Sequence, residues 1–189
     1  MNYAKILYRC RNWRAHWRAL WIGSWTVLDG AVARLFGQGE RILLRGELGA
    51  RVLRADGSAL DLGCIAKRVV TNAGVTYMRD DFNDAAGDIN AFNFHDSGTG
   101  AVAEAVGDTA LGTPAGPARV AGTKSTPAGN QYRTVATIAY TATLAITEHG
   151  LFSASTAGTL WDRSVFAAIN VVNGESIQFT YTLTINAGG

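Results

Sequence analysis

Asn173-Gly174-Glu175-Ser176-Ile177-Gln178-Phe179-Thr180-Tyr181-Thr182-Leu183-Thr184-Ile185 decides the fold class. Asn-Gly is the strongest short-range signal for a two-residue hairpin turn, because both positions tolerate positive φ. After it, Ile177, Phe179, Tyr181, Leu183 and Ile185 take every second position, and Gln178, Thr180, Thr182 and Thr184 fall between them. Side chains alternate faces along a strand, so this segment predicts a half-buried antiparallel strand. Leu160–Val172 reads as the strand before the turn, Ser153–Gly158 as a turn, and Leu144–Phe152 and Gln131–Thr143 as strand segments upstream.

The same grammar continues toward the N-terminus. Asp56-Gly57 predicts a hairpin between the run Ile42, Leu44, Leu48, Val52, Leu53 and the stretch Leu60–Val70. Thr71 or Asn72 can cap a short helix carrying Val75, Met78 and Phe82 at spacings of three and four. Asp88–Phe94 reads as another short strand. Residues 96–130 are rich in Gly, Ala, Thr and Pro and read as long surface loops with a brief strand near Arg119–Gly122. A loop of that length is usually functional or mobile. Seven or eight strands with turns between them give a mainly β class, an antiparallel β-sandwich or jelly roll over residues 40–189.

Residues 1–39 follow a different period. Trp13, Trp17, Trp21 and Trp25 recur every fourth residue, and Arg11, Arg14 and Arg18 run beside them. At 3.6 residues per turn these make two adjacent stripes on an amphipathic helix over residues 3–36, ending at Gly37-Gln38-Gly39. Tryptophan and arginine dominate buried interface energy, so these seven residues are the expected partner-binding set of an N-terminal arm. Packing of the helix on its own domain is the nearest alternative. Membrane-surface or nucleic-acid contact by the arm ranks below both.

Charge divides along the same line. Residues 1–54 hold ten Lys and Arg against three Asp and Glu, a net +7, and residues 55–189 hold seven against twelve, a net −5. Two surfaces with different partners are expected. Cys10 and Cys64 lack metal-site spacing and read as free thiols. No apolar run approaches the ~20 residues of a membrane-spanning helix, and the N-terminus is too aromatic for a signal peptide, so secretion is not expected.

The polar motifs read as structure. His95-Asp96-Ser97 cannot form a catalytic triad as three adjacent residues with diverging side chains, and it reads as a turn-forming polar loop. His95 and His149 lack metal-ligand spacing, and the acidic Asp80, Asp81, Asp84 and Asp88 read as a solvated helix end. Gly98-Thr99-Gly100 lacks the ending of a phosphate loop and reads as a tight turn needing positive φ. Glu148-His149-Gly150 is placed where a strand meets a turn. Glu148 or Asp162 can pair with Arg163, a contact worth little if exposed. No enzyme activity, cofactor, metal or small-molecule substrate is expected.

Along residues 69–189 an ordered set of motifs carries a resemblance: Val70-Thr71-Asn72-Ala73-Gly74, His95-Asp96-Ser97-Gly98-Thr99-Gly100, Gly107-Asp108-Thr109-Ala110-Leu111, Ile146-Thr147-Glu148-His149-Gly150-Leu151-Phe152, Gly158-Thr159-Leu160-Trp161-Asp162-Arg163 and Asn173-Gly174-Glu175-Ser176-Ile177. This order resembles small structural proteins of tailed-bacteriophage virions, the head decoration (cement) and tail-associated group. The resemblance spans about two thirds of the chain and leaves residues 1–40 unmatched. It implies a virion location after synthesis in the host cytoplasm, and a decoration protein bridging major capsid subunits. A tail or fibre-attachment adaptor is the alternative. The implied partners are the major capsid protein or other virion subunits, with a homo-oligomer, dimer or trimer, expected.

Overall fold

A computed structural model gives the structure of the protein and describes residues 41–67, 69–82, 88 and 91–188. The amphipathic arm expected over residues 3–36, with Trp13, Trp17, Trp21, Trp25, Arg11, Arg14 and Arg18, lies outside the described residues. So does Cys10; Cys64 is a free, exposed thiol. Residues Ile42–Ala187 form one compact unit.

The protein is mainly β. Among the described residues ten strands run in order: β1 (Arg41–Leu53), β2 (Ala59–Ala66), β3 (Val69–Val70), then helix α1 (Asn72–Phe82), β4 (Phe94–Gly98), β5 (Val120–Ala121), β6 (Thr123–Ser125), β7 (Gln131–Ala139), β8 (Leu144–Phe152), β9 (Leu160–Val171) and β10 (Ser176–Gly188). They make two five-stranded sheets, β2-β1-β10-β7-β6 and β3-β9-β8-β4-β5. The register-assigned pairs are antiparallel. Leu48, Val52, Ile138, Phe179 and Tyr181 of the first sheet share one hydrophobic cluster with Ile146, Leu151, Trp161 and Val171 of the second. Three of the four sheet edges are strands of two or three residues. The fourth, β2, carries a register shift where Gly63 takes φ +62°, which disrupts its outer edge as a pairing template.

The turns fall where the sequence places them. Gly57 adopts φ +83° between β1 and β2, and Gly174 adopts φ +87° between β9 and β10. In β10, Ile177, Phe179, Tyr181 and Leu183 are buried, whereas Ile185 is exposed near the strand's end. Of the intervening residues, Gln178, Thr180 and Thr184 are half-buried, and Thr182 accepts a hydrogen bond from Arg133 Nε at 3.1 Å. Thr71 caps α1, its Oγ1 accepting from the Gly74 amide at 3.0 Å while its carbonyl accepts from Val75.

Five expectations need correction. Leu60–Val70 is not one strand: β2 joins the first sheet and β3 the second, with only Lys67 and Arg68 between. Within the expected strand Asp88–Phe94, Asp88 and Ala91–Asn93 are not strand, and pairing begins at Phe94. Helix α1 turns Gly74 inward and leaves Val75 and Phe82 exposed, because Trp161 packs against Gly74, where a Cβ would lie 2.9 Å from its ring. Gly98 and Gly100 do not take positive φ, and His95-Asp96-Ser97 is no loop but the buried centre of β4.

Phe179 is fully buried beneath the second sheet, and Thr180 faces away from it. Phe179→Ala should cost about 3–5 kcal/mol of unfolding free energy, as expected for a large core truncation. Thr180→Ala should cost less than about 1 kcal/mol. Denaturant titration of both variants checks the assignment; equal losses would mean the wrong face is buried.

Candidate functional site

The polar residues concentrate on the second sheet, and its register sorts them. Opposed residues share a face. His95 opposes Leu151, and Ser97 opposes His149. His149 opposes Ser164, and Leu151 opposes Asp162. These six residues therefore line one face. It looks toward the first sheet, because His95 meets Thr134 of β7 and His149 lies against the Phe179 ring of β10. Phe94, Asp96, Gly98, Glu148, Gly150, Phe152 and Arg163 line the other face by the same pairing.

On the inner face the two histidines meet. His95 Nδ1 and His149 Nε2 are 2.9 Å apart, and His95 Nε2 lies 3.2 Å from Thr134 Oγ1. One proton between the rings satisfies the first contact, and Thr134 serves either tautomer because a hydroxyl both donates and accepts. His149 Nδ1 has no hydrogen-bond partner. Burial, with no opposite charge to offset it, holds His95 down to about 3. Burial and the neighbouring His95 push His149 well below the ordinary histidine range. Both rings are neutral at pH 7. Two further hydrogen bonds join the sheet to residues across the core: Ser97 Oγ with Tyr140 Oη at 2.9 Å, and Trp161 Nε1 donating to Tyr181 Oη at 3.0 Å.

On the outer face Glu148 is fully buried and carries five hydrogen bonds. Its Oε1 accepts from the amides of Gly100 (3.0 Å) and Thr113 (2.7 Å). Its Oε2 accepts from the Gly112 amide (2.9 Å) and from Arg163 Nε (2.9 Å) and Nη2 (2.7 Å). Arg163 also donates to Asp108 Oδ2 (2.9 Å) and the Val102 carbonyl (3.1 Å). The segment from Thr99 to Thr113 is thereby tied over the sheet, with Leu111 packed on Phe152 and Leu160. Burial raises the Glu148 carboxyl, but the amides of Thr113 and Gly112 and the Arg163 guanidinium outweigh it and hold the group below the usual carboxylate range. Gly98 and Gly100 are glycines for this reason: a Cβ at either would come within 2.4 or 2.5 Å of Glu148 Oε1.

A second clamp works beside the first. Arg119 Nε donates to Asp96 Oδ2 at 3.1 Å, and its guanidinium sits 3.4 Å from the centroid of the Phe152 ring. Its Nη1 donates to the carbonyls of Ala154 and Ala157 in the β8–β9 turn. The region expected as free surface loop is therefore tethered at Glu148, Arg163 and Arg119. Glu148-His149-Gly150 lies inside β8, not at a turn, and its ion pair with Arg163 is buried, not exposed.

Sequence reasoning offered Glu148 or Asp162 as the partner of Arg163, of which Glu148 takes the place, but missed the His95–His149 contact. No local spacing encodes it, since the partners are 54 residues apart. Among the described residues, no three His, Cys, Asp or Glu side chains are placed to hold a metal ion, and no helix is long and apolar enough to cross a membrane. Comparison with known proteins gives no match to a family model, a curated protein or a solved structure.

Two outcomes are expected. Glu148→Gln leaves the buried Arg163 without its main counter-charge and should cost about 3–5 kcal/mol. The same change should make the segment 99–113 a preferred site of limited proteolysis; an unchanged digestion pattern would refute the clamp. The histidines set the acid response. Unfolded histidines take up protons below about pH 6.5 while the folded ones stay neutral, so folding stability is full above that pH and is lost as pH falls. Each contributes about 1.4 kcal/mol per pH unit between about 6.5 and 4. Asp162, whose buried carboxyl is raised to about 7, works in the opposite sense over the same window, so a net loss of about one histidine's slope is expected. Urea midpoints measured from pH 7 to 4 check this; a flat profile would contradict it.

Proposed function

We propose that the protein is a structural component of a tailed-phage virion, a capsid decoration protein. Its two-sheet body is a β-sandwich that bridges neighbouring capsid subunits, and its Trp/Arg arm docks on an adjacent subunit. One observation carries this reading. The residues that make up the resembling motifs, Gly98, Gly100, Glu148, His149, Asp162 and Arg163, are drawn into the body's own packing and hydrogen bonding. Side chains able to do acid, base or nucleophile chemistry are used to fix shape. That use fits a scaffold better than a reaction centre, which needs such groups within reach of a substrate.

The physical task suits the construction. A shell holding packaged DNA gains strength when added subunits span its boundaries, because each extra linked contact raises avidity without any single contact being strong. A body whose covering segment is clamped by buried charge keeps its contact surface in one shape, which reduces the ordering cost of docking. The arm's six Lys and Arg against one Asp, a net +5, and its four tryptophans supply the attraction and the anchors. The protein then acts as a homo-oligomer on the major capsid protein.

Cryo-electron microscopy of the particle tests the assignment through copy number. Density repeated over the whole head supports a decoration protein; a few copies at the tail would make it a tail or fibre adaptor; none would exclude a virion role. The arm is tested separately. A truncated chain of residues 40–189 should stay folded and lose particle loading, and Trp17→Ala with Trp21→Ala should weaken loading by about 2 kcal/mol or more. A truncated chain that melts far lower yet binds particles unchanged would show that the arm packs on its own domain.

A further inference from the structure

We propose that Asp162 is a pH-operated clasp on strand β1: uncharged it fits beneath the strand at Gly46, and ionised it loosens the strand there. The inference is independent of the virion reading. Asp162 lies on the inner face of β9 and is 1% exposed. Its Oδ1 accepts from Ser164 Oγ at 3.0 Å, while its Oδ2 is buried without a hydrogen-bond donor. Beside it stands Tyr181 Oη of β10, held by Trp161 Nε1 at 3.0 Å. Gly46 of β1 closes the other side: a Cβ there would lie 3.1 Å from Asp162 Oδ2 and 2.8 Å from Tyr181 Oη. The clasp therefore joins one residue of the second sheet to two strands of the first.

The surroundings offer a charged carboxylate little. The Arg163 guanidinium next in sequence is committed to Glu148 and Asp108 on the opposite face. The register partners Val70 on β3 and Leu151 on β8 carry no charge, and neither does Gly46. His149, opposite Ser164, is held neutral. The Tyr181 phenol is pushed well above its ordinary range by burial, so it stays protonated. Glu104 adds negative potential. Protonation removes the charge, and the Tyr181 hydroxyl beside Oδ2 can hydrogen-bond to it in either state. Ionisation instead leaves a desolvated negative charge against the backbone of β1. Burial, reinforced by Glu104 and only partly opposed by Ser164 and Tyr181, raises the carboxyl to about 7, which puts the switch near neutrality.

Carbon-13 NMR of the full chain reads the carboxyl directly. The Asp162 carboxyl resonance should titrate with a midpoint near 7, and amide hydrogen exchange at Gly46 and its neighbours, corrected for the intrinsic pH dependence, should lose protection through the same midpoint. In D162N the β1 protection should stay level from pH 6 to 8. The ratio of unfolding constants for wild type and D162N should change by about tenfold per pH unit between 4 and 7. If D162N does not fold, the wild-type titration still decides the matter. A carboxyl that remains ionised down to pH 5, or β1 protection that ignores its titration, would overturn the proposal.

Discussion

A carboxylate with no exposure and five hydrogen bonds organises much of this body. Glu148 is placed by β8, but three of its donors are backbone amides of the segment 99–113 and two belong to Arg163 of β9. Moving a charge out of water costs several kcal/mol even after relaxation, so such a group is stable only when nearly all its lone pairs are used. The segment that supplies the amides must hold one path, and Gly98 and Gly100 leave the room the carboxylate occupies. A stretch that would otherwise be a long irregular loop becomes a third layer on the outer face of the second sheet.

That layer explains the composition of the sheet beneath it. A β-sheet covered on both faces ordinarily reads as a continuous apolar run. Here β4 reads Phe-His-Asp-Ser-Gly and β8 contains Thr-Glu-His-Gly, yet nearly all these residues are buried. The polar groups on the outer face serve the covering segment. Those on the inner face reach across the core through His95 to Thr134, Ser97 to Tyr140 and Trp161 to Tyr181. Apolar packing holds the sheets together, and directional bonds of this kind fix how one sheet sits on the other, since a hydrogen bond tolerates far less sliding than a contact between methyl groups.

The sequence made some of this legible and hid the rest for identifiable reasons. The alternation from Ile177 to Leu183, the two Gly turns and the Thr71 cap are local, so short windows carry them. The end of β2 carries no Gly or Pro, and the crossing to β3 at Lys67 and Arg68 was invisible. His95-Asp96-Ser97 looked like a loop because polar triplets usually are, and nothing nearby signals that Thr134, Tyr140, His149 and Arg119 take up their side chains. Val75 and Phe82 looked like an inward stripe, but Gly74 packs closer to Trp161 than any side chain could. The comparisons add no external constraint on function, and the arm residues Trp13 to Trp25 lie outside the described structure.

The placement of β1 between β2 and β10 has a consequence for how the body is made. The first long strand and the last one are neighbours, and β3 likewise waits for β9. Pairings between such distant segments must meet the loop-closure entropy before any contact rewards it, which makes folding slow. During synthesis the β1–β2 hairpin leaves the ribosome with its long edge unpaired and its apolar face bare. Neither sheet can be completed until nearly the whole chain has emerged. The interval between the first strand and the last is therefore when this protein is most exposed to wrong partners, and the bulge at Gly63 of β2 disrupts one of its open edges during that wait.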